Sequence, residues 1–537
     1  MRTATPISHF RVDGVSHAWT DRPVLTDVSF VIDRADRVGL IGENGAGKST
    51  LLGIIAGLTE PDRGSVTRPE RTGILLQEVV HGPDDTIADL IEAAIAPVRA
   101  IEAELESAAA ALADGVEERY SRALDAAERA DVWTLEARRD TLLAGLGVGD
   151  IPLDRRLVDV SGGQRSRFAL AALLLSRPDA LVLDEPTNHL DDAAVSFLRE
   201  QLLDWPGPVV FASHDRAFLD EVATVLVDID PSKENAVTRF GGTYTDYLAW
   251  KAAERARWEA RFEAEANELR DLEAALAGSA REIAHDRGWS DNDKMAKGLK
   301  KNTVEGQISR RVRNVKVRID DLRENRLEKP SEVLAFAGIP SGSHSLEGTL
   351  LEVRHARIPG RLDIDSLRLG ASTRLLITGH NGAGKSTLLS VLAGELRAGE
   401  LTRTRGLRTA LLAQDVRWRD PGLSSRAIYE AAVGERRAET VPLVDLGLLA
   451  ARDVDRPAGE LSQGQQRRLA LAVIIARPPH LFLLDEPTNH LSLALATELE
   501  EAIGSYPGAV VVASHDRWLR RRWSGPHRAM EGGRFVS

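Results

Sequence analysis

The chain repeats itself, and the repeat constrains its fold more than any local pattern does. GENGAGKSTLL from Gly42 returns as GHNGAGKSTLL from Gly379, and VLDEPTNHL from Val182 returns as LLDEPTNHL from Leu483. SGGQRSRFALA from Ser161 returns as SQGQQRRLALA from Ser462, and ASHDR from Ala212 recurs at Ala513. Similarity over such a distance implies two copies of one domain before any single residue is considered. The spacing is uneven. Gly42 to Gly379 and Gln77 to Gln414 are 337 residues apart, whereas Ser161 to Ser462, Asp184 to Asp485 and His214 to His515 are 301 apart. The first copy therefore holds 36 more residues (337 − 301) between Gln77 and Ser161. That insertion is rich in alanine and poor in helix breakers, so it predicts a helical arm over about residues 90–145. A solvated arm and a docking surface both fit.

A stretch belonging to neither copy lies between them. Trp258, Phe262, Leu269, Leu272, Leu276 and Ile283 follow one another at intervals of 4, 7, 3, 4 and 7. Ile308, Val312, Val315, Ile319 and Leu322 follow at 4, 3, 4 and 3. Both are helical seams. They predict a long antiparallel α-helical hairpin whose longer arm, at 1.5 Å per residue, reaches on the order of 60 Å. The expected organisation is a first domain over 1–242, the hairpin over 243–331 and a second domain over 332–537, with α/β architecture in both domains. The segment KMAKGLKKN, Lys294 to Asn302, falls at the far end of the hairpin.

Composition narrows the setting. The 537 residues are 43% hydrophobic and 28% charged, as in globular proteins. Cysteine is absent, which excludes disulfides, a thiolate nucleophile and cysteine-ligated metal, and points to a reducing compartment. MRTATPISHFRVDG lacks the apolar core of a signal peptide, and no apolar run approaches the roughly 18 residues of a membrane span. A cytoplasmic protein with no membrane domain is the expectation. The net charge of −12 opposes general attraction to nucleic acid, yet Lys294 to Arg318 holds nine basic residues against Glu305 alone, a local +8. At the tip such a cluster suits a phosphate-rich partner through counterion release, whereas on the hairpin's flanks it reads as a solvated helix face.

The repeated motifs carry phosphate chemistry. Gly42-x4-Gly47-Lys48-Ser49 follows the apolar RVGLI, as a strand, phosphate loop and helix start should. Its glycines let backbone N–H groups converge on phosphates, Lys48 can neutralise β and γ oxygens, and Ser49 can ligate Mg²⁺. Gly42, Asn44, Gly45, Gly47, Lys48, Ser49 and Thr50 are thus candidate phosphate contacts, as are Gly379, Asn381, Gly382, Gly384, Lys385, Ser386 and Thr387. ALVLDEP and HLFLLDEP are apolar strands ending in paired acids, where an α/β sheet exposes its ligand-binding edge. Asp184 and Asp485 are placed to hold Mg²⁺ through water, and Glu185 and Glu486 to orient or deprotonate attacking water. A lone Asp-Glu at a strand end is usually a helix cap or solvated turn; here each follows its own phosphate loop.

These residues resemble the ATP-binding cassette family, and the resemblance covers both halves. VSGGQ (Val160 to Gln164) and LSQGQ (Leu461 to Gln465) are similar to its signature sequence. The resemblance implies two cassettes stacked head to tail, with ATP and Mg²⁺ clamped between one phosphate loop and the opposite signature. Lys48 and Glu185 then work with Ser462, Gly464 and Gln465, and Lys385 and Glu486 with Ser161, Gly162, Gly163 and Gln164. It further implies that Gln77 and Gln414 sense Mg²⁺ and that His214 and His515 contact the γ-phosphate. Two departures stand out. Gln463 replaces a signature glycine, which predicts a different hydrolysis rate at the site containing Lys48. Trp19 is placed to stack on adenine in the first half, or else is a packed surface aromatic, whereas Ala356 or Arg357 occupies the comparable region of the second.

DEPTNHL in both halves, with a helical hairpin between fused cassettes, resembles the F subfamily, whose members act on the ribosome. The resemblance implies an intramolecular cassette pair in a monomer whose hairpin enters the E site of the 70S ribosome, bringing Trp289, Lys294, Met295, Lys297, Lys300 and Lys301 to rRNA and P-site tRNA. The tip WSDNDKMAKGLKKNTVEGQ is most similar to those of antibiotic-resistance members, which protect the peptidyl-transferase centre or exit tunnel. A housekeeping translation factor, the ATPase subunit of a separate membrane exporter and a DNA-associated ATPase remain as alternatives.

Overall fold

The computed structural model describes residues 8–19, 22–42, 45–76, 82, 84–110, 117–229, 237–285, 310, 313–325, 346–380, 382–413, 416, 418–488, 491 and 493–536. In the first half a six-stranded sheet runs in the order β5 (Thr72–Leu75), β6 (Ala180–Asp184), β7 (Val209–Ala212), β3 (Arg37–Gly42), β8 (Val225–Ile229), β9 (Val237–Gly241). All neighbours are parallel except β9, which runs antiparallel to β8. Strands buried on both faces need uninterrupted apolar runs, and β6 (ALVLD) and β7 (VVFA) are buried at every residue. A second, antiparallel sheet orders β2 (Arg22–Ile32), β1 (Phe10–Trp19) and β4 (Arg63–Thr67).

The second half repeats both sheets. Its six strands run β14 (Thr409–Leu412), β15 (Leu481–Asp485), β16 (Ala509–Ala513), β12 (Arg374–Thr378), β17 (His527–Glu531), β18 (Arg534–Val536), and its smaller sheet β11 (Leu362–Gly370), β10 (Thr349–Ile358), β13 (Glu400–Arg403). The inserted stretch of the first half holds the helices Ile87–Ala110, Glu117–Ala130 and Leu135–Gly145. Buried Ala108, Ala123 and Ala127 let these helices approach closely; Arg99 ties the first helix to the third through Glu136, and Arg119 ties the second to the first through Glu104.

Two compact units result, Met1–Thr245 with Leu334–Ser537, and Asp246–Val333. Both cassettes share the first, joined by charged contacts at their ASHDR segments. The helix Arg216–Val222 of the first half packs on Arg517–Arg522 of the second. Arg216, only 2% exposed, bonds Glu500 and, at 2.7 Å, Asp516. Arg517 returns the contact to Asp215 at 3.0 Å. Tyr244, at the start of the helix Tyr244–His285, is buried edge-on against Trp518 at 5.5 Å.

In the second unit the long helix half-buries Phe262, Leu269, Leu272 and Leu276, while Trp258, at the same helical spacing, is 40% exposed. The helical segment 313–324 buries Ile319 and Leu322 and is joined to the long helix by Arg318–Glu268 (2.9 Å) and Arg323–Glu273 (2.6 Å). Ile308, Val312 and the tip residues Trp289, Lys294, Met295, Lys297, Lys300 and Lys301 lie outside the described residues.

Burial alone would raise the Asp516 carboxyl, but Arg216, the Leu519 N–H and the Thr488 hydroxyl hold it below the ordinary aspartate value. A carboxylate lowered by folding stabilises the native state above that ordinary value and loses its contribution as pH falls through the lowered one. Asp516→Asn is therefore expected to cost roughly 1–3 kcal/mol at neutral pH. Its thermal midpoint should then fall less than that of the unaltered chain between about pH 5 and pH 2. Equal falls in the two proteins would remove this contact from the acid response.

Candidate active site

Strand register brings the motif residues to one edge of each sheet. Leu40 and Asp184 both pair with Ala212, so Gly42, Glu185 and His214, each one or two residues further on, emerge together at the carboxyl ends of β3, β6 and β7. Ile377 and Asp485 likewise both pair with Ala513, which gathers Gly379, Glu486 and His515. The phosphate loops follow directly. Gly42 has φ 147°, and a Cβ there would stand 2.5 Å from the Ile229 carbonyl oxygen, so only glycine fits. Gly45 and Gly382 adopt φ of 83° and 84° with open space where a side chain would be. The helices Lys48–Ala56 and Lys385–Ala393 begin after Gly47 and Gly384, carrying Ser49, Thr50, Ser386 and Thr387 in their first turns.

The carboxylates are nearly dry: Asp184 and Glu185 are each 7% exposed, Asp485 4% and Glu486 5%. Burial raises Asp184 against the opposing Ser49 hydrogen bond, and raises Asp485 against that of Ser386. It pushes Glu185 up to about 7, against the His214 N–H. Both glutamates occupy the left-handed region, with φ 51° and 48°, a strain of about 1–3 kcal/mol that the sequence does not announce. Hydrogen bonds from Glu185 N to Ala212 O (2.9 Å) and Glu486 N to Ala513 O (2.8 Å) hold the two turns.

The histidines face these glutamates differently. His214 Nε2 is 3.5 Å from Glu185 Oε1, whereas His515 Nδ1 is 2.8 Å from Glu486 Oε1 and the imidazole is raised, chiefly by that bond. Lys48 Nζ donates to Gly42 O at 2.9 Å, and Lys385 Nζ to Gly379 O at 2.7 Å, with Glu486 3.8 Å away. Asp485 Oδ1 is buried without a hydrogen-bond partner among the described residues. An acceptor-only oxygen so placed beside a serine hydroxyl fits a hard divalent cation.

Ser161 and Ser462 cap the helices Gly162–Leu175 and Gln463–Ala476. In both, the serine Oγ accepts from the glutamine N–H at 3.3 Å, and the serine N–H donates to the glutamine Oε1 at 3.0 Å. Gln164 and Gln465, candidate nucleotide contacts, thus close capping boxes, and Gln465 Nε2 also donates to Asp453 at 2.9 Å. A Cβ at Gly162 would meet nothing nearer than 3.9 Å, so Gln463 at the equivalent position starts its helix the same way. Gly163 is closer-fitted, a Cβ there standing 3.0 Å from His189, and Gly464 follows Gln463 in the matching first turn.

Trp19 is 55% exposed at the end of β1, its Nε1 donating to Thr50 Oγ1 at 3.3 Å, beside the phosphate loop. Counting on from the matched pairs Val12–Val66 and Val353–Leu401 places Gly360, in the turn before β11, at the position of Trp19. Of the two residues compared with Trp19 by sequence, Ala356 is fully buried and Arg357 is paired with Asp363 and Asp365. Asn44, Gln77, Asn381 and Gln414 lie outside the described residues.

One residue outside these motif positions also shapes the site. Arg467, 2% exposed, donates to the carbonyl oxygens of both Asp485 and Glu486, bracing the strained turn. Ser166 stands 301 residues earlier, and it lines a cavity of about 300 Å³ together with Asp184, Glu185 and Leu75. The signal was present in the repeat itself, QRSRF against QQRRL.

Fold and sites together define a tandem phosphate-loop ATPase. An ABC transporter family match spans residues 25–188 and 362–489. The chain is 41% identical over 554 residues to the tylosin resistance ATP-binding protein TlrC of Streptomyces fradiae, with 99% of each chain covered. It is 30% identical to the energy-dependent translational throttle protein EttA of Mycobacterium tuberculosis, over 96% of this chain and 90% of that one. The archaeal ribosome recycling factor aABCE1, solved with the stalk protein aP1, shares the fold at TM-score 0.58 and 18% identity, covering 97% of this chain and 88% of that one. The chain belongs to the ATP-binding cassette family, in its F subfamily, and is an ATPase. Among the described residues no helix is long and apolar enough to cross a membrane.

Arg467→Met is expected to destabilise the chain by roughly 1–3 kcal/mol, because two buried carbonyls lose their donor. Ser166→Ala should stay within about 0.5 kcal/mol. Denaturant midpoints read both, and equal effects would show that Arg467 braces nothing.

Proposed function

We propose that this ATPase is a ribosome-protection factor, in which closure of the cassettes on two ATP molecules drives the hairpin tip into the ribosomal E site, towards P-site tRNA and the peptidyl-transferase centre, to displace an inhibitor. The observation that carries the proposal is the 41% identity to a tylosin resistance protein across 99% of both chains. The local charge of +8 over Lys294 to Arg318, in a chain of −12, supports an RNA partner for the tip while the acidic cassettes avoid nonspecific RNA. A housekeeping role in translation is the second reading, supported by the likeness to EttA at 30% identity.

Within each site, Ser49 with Asp184 and Ser386 with Asp485 would hold Mg²⁺, with Gln77 and Gln414 completing its surroundings. The ion supplies charge neutralisation between β- and γ-phosphates. Glu185 and Glu486 orient and deprotonate the attacking water, and His214 and His515 hold the γ-phosphate. The N–H groups at the capped signature helices, opened by Ser161 and Ser462, stabilise the charge of the opposite nucleotide.

Glu185→Gln with Glu486→Gln is expected to lower ATP turnover by about 10²-fold or more. The trapped protein should co-sediment with 70S ribosomes in ATP. Pelleting with membranes instead would favour an exporter partner, and footprints on DNA rather than rRNA a chromosomal one. Lys297→Ala, Lys300→Ala and Lys301→Ala together should weaken ribosome binding and flatten its salt dependence while basal ATPase persists. Binding unchanged across salt concentrations would remove the tip. Growth with tylosin and other ribosomal antibiotics, with and without expression, separates protection from a housekeeping role.

A further inference from the structure

The two ATP sites are joined by a reciprocal brace that neither motif predicts alone. In each half, the residue after the site histidine is an aspartate that caps the next helix, and the residue after that is an arginine whose bonds leave its own half. Arg216 reaches Asp516 Oδ2 at 2.7 Å and also bonds Glu500, while Arg517 reaches Asp215 Oδ2 at 3.0 Å. Asp215 meanwhile accepts from Phe218 N and Asp516 from Trp518 N and Leu519 N, so each half grips the other's helix cap.

Each gripped cap is wired to a glutamate turn. His515, covalently next to Asp516, lies against Glu486, and Thr488, two residues past Glu486, donates to Asp516 Oδ2 at 3.0 Å. In the first half Thr187, two residues past Glu185, meets Ser213 Oγ at 3.0 Å, and that oxygen accepts the Asp215 N–H at 3.0 Å. A shift of either turn is therefore felt by the arginine of the other half. A guanidinium presents a rigid planar fork to its carboxylate, so the contact transmits position.

The flanking charges favour this pairing within one chain. Arg517–Arg522 is basic, with Arg520 on Asp192 at 2.5 Å and Arg521 on Glu221, whereas Arg216–Val222 carries Asp220 and Glu221. Two copies of either helix would meet like charge.

We propose that Arg216 and Arg517 are positioning residues that couple hydrolysis at the two sites, each relaying the state of one glutamate–histidine pair to the helix cap of the other half. The proposal rests on the roles given above to Glu185, Glu486 and the histidines, and not on the identity of the partner.

The test is steady-state ATP hydrolysis by the full chain in four forms: unaltered, Glu486→Gln, Asp215→Asn with Asp516→Asn, and all three changes combined. Asparagine caps helices as well as aspartate, so the fold is kept while the charge gripped by both arginines is removed. Coupled sites predict that Glu486→Gln cuts turnover about 10-fold in the unaltered background and about fivefold less when the braces are cut, where only its own site's share is lost. Equal fold-losses in the two backgrounds overturn the proposal. A merely structural brace lowers turnover in both backgrounds alike. If the asparagines prevent folding, Arg517→Lys reads the same contact, because a point charge replaces the fork. It is expected to reduce the Glu486→Gln effect about threefold, and no change overturns the proposal. Turnover surviving Glu185→Gln with Glu486→Gln would instead sink the roles of the glutamates, a separate outcome.

Discussion

The turn after each site strand sets a glutamate at positive φ with its carboxylate almost dry, and both copies hold it by the same bond, from Glu185 N to Ala212 O and from Glu486 N to Ala513 O. Such a turn is costly twice over, in backbone strain and in desolvation of acid groups. It persists because the surrounding sheet is over-determined: β6 and β15 are buried at every residue between parallel neighbours, so the chain has no alternative exit at their carboxyl ends. Phosphate loop, acids and histidine meet there because register leaves them nowhere else to meet.

Duplication did not make the sites equal. The turn of the second half is braced from beneath by Arg467, where the first half has Ser166 and a cavity. Trp19 stands beside one phosphate loop and Gly360 takes its register position in the other half. His214 approaches its glutamate by Nε2 and His515 by Nδ1. Two copies of one motif thus sit in different steric surroundings, and the arginines exchanged between their helix caps join the two halves.

Much of this was legible in the primary structure. Paired strands, loops, caps and acids announce themselves because each needs particular residue types at short fixed spacing: glycine where N–H groups must converge, serine with glutamine three residues on at a helix start, an apolar run ending in Asp-Glu. The equal 301-residue offset aligned the histidines as well. Trp258 shows the limit of periodicity, since a helical interval places a residue on a face without saying how much of that face is covered.

The order of motifs along the chain, read twice, was sufficient for the fold class and for a nucleoside-triphosphate chemistry, because those depend on local backbone demands that few residues can meet. Tertiary structure alone decided the left-handed glutamates, the brace from Arg467, and the exchange of Arg216 and Arg517 between halves. Each of these depends on which distant groups share a buried space, and a buried charge finds its partner by geometry.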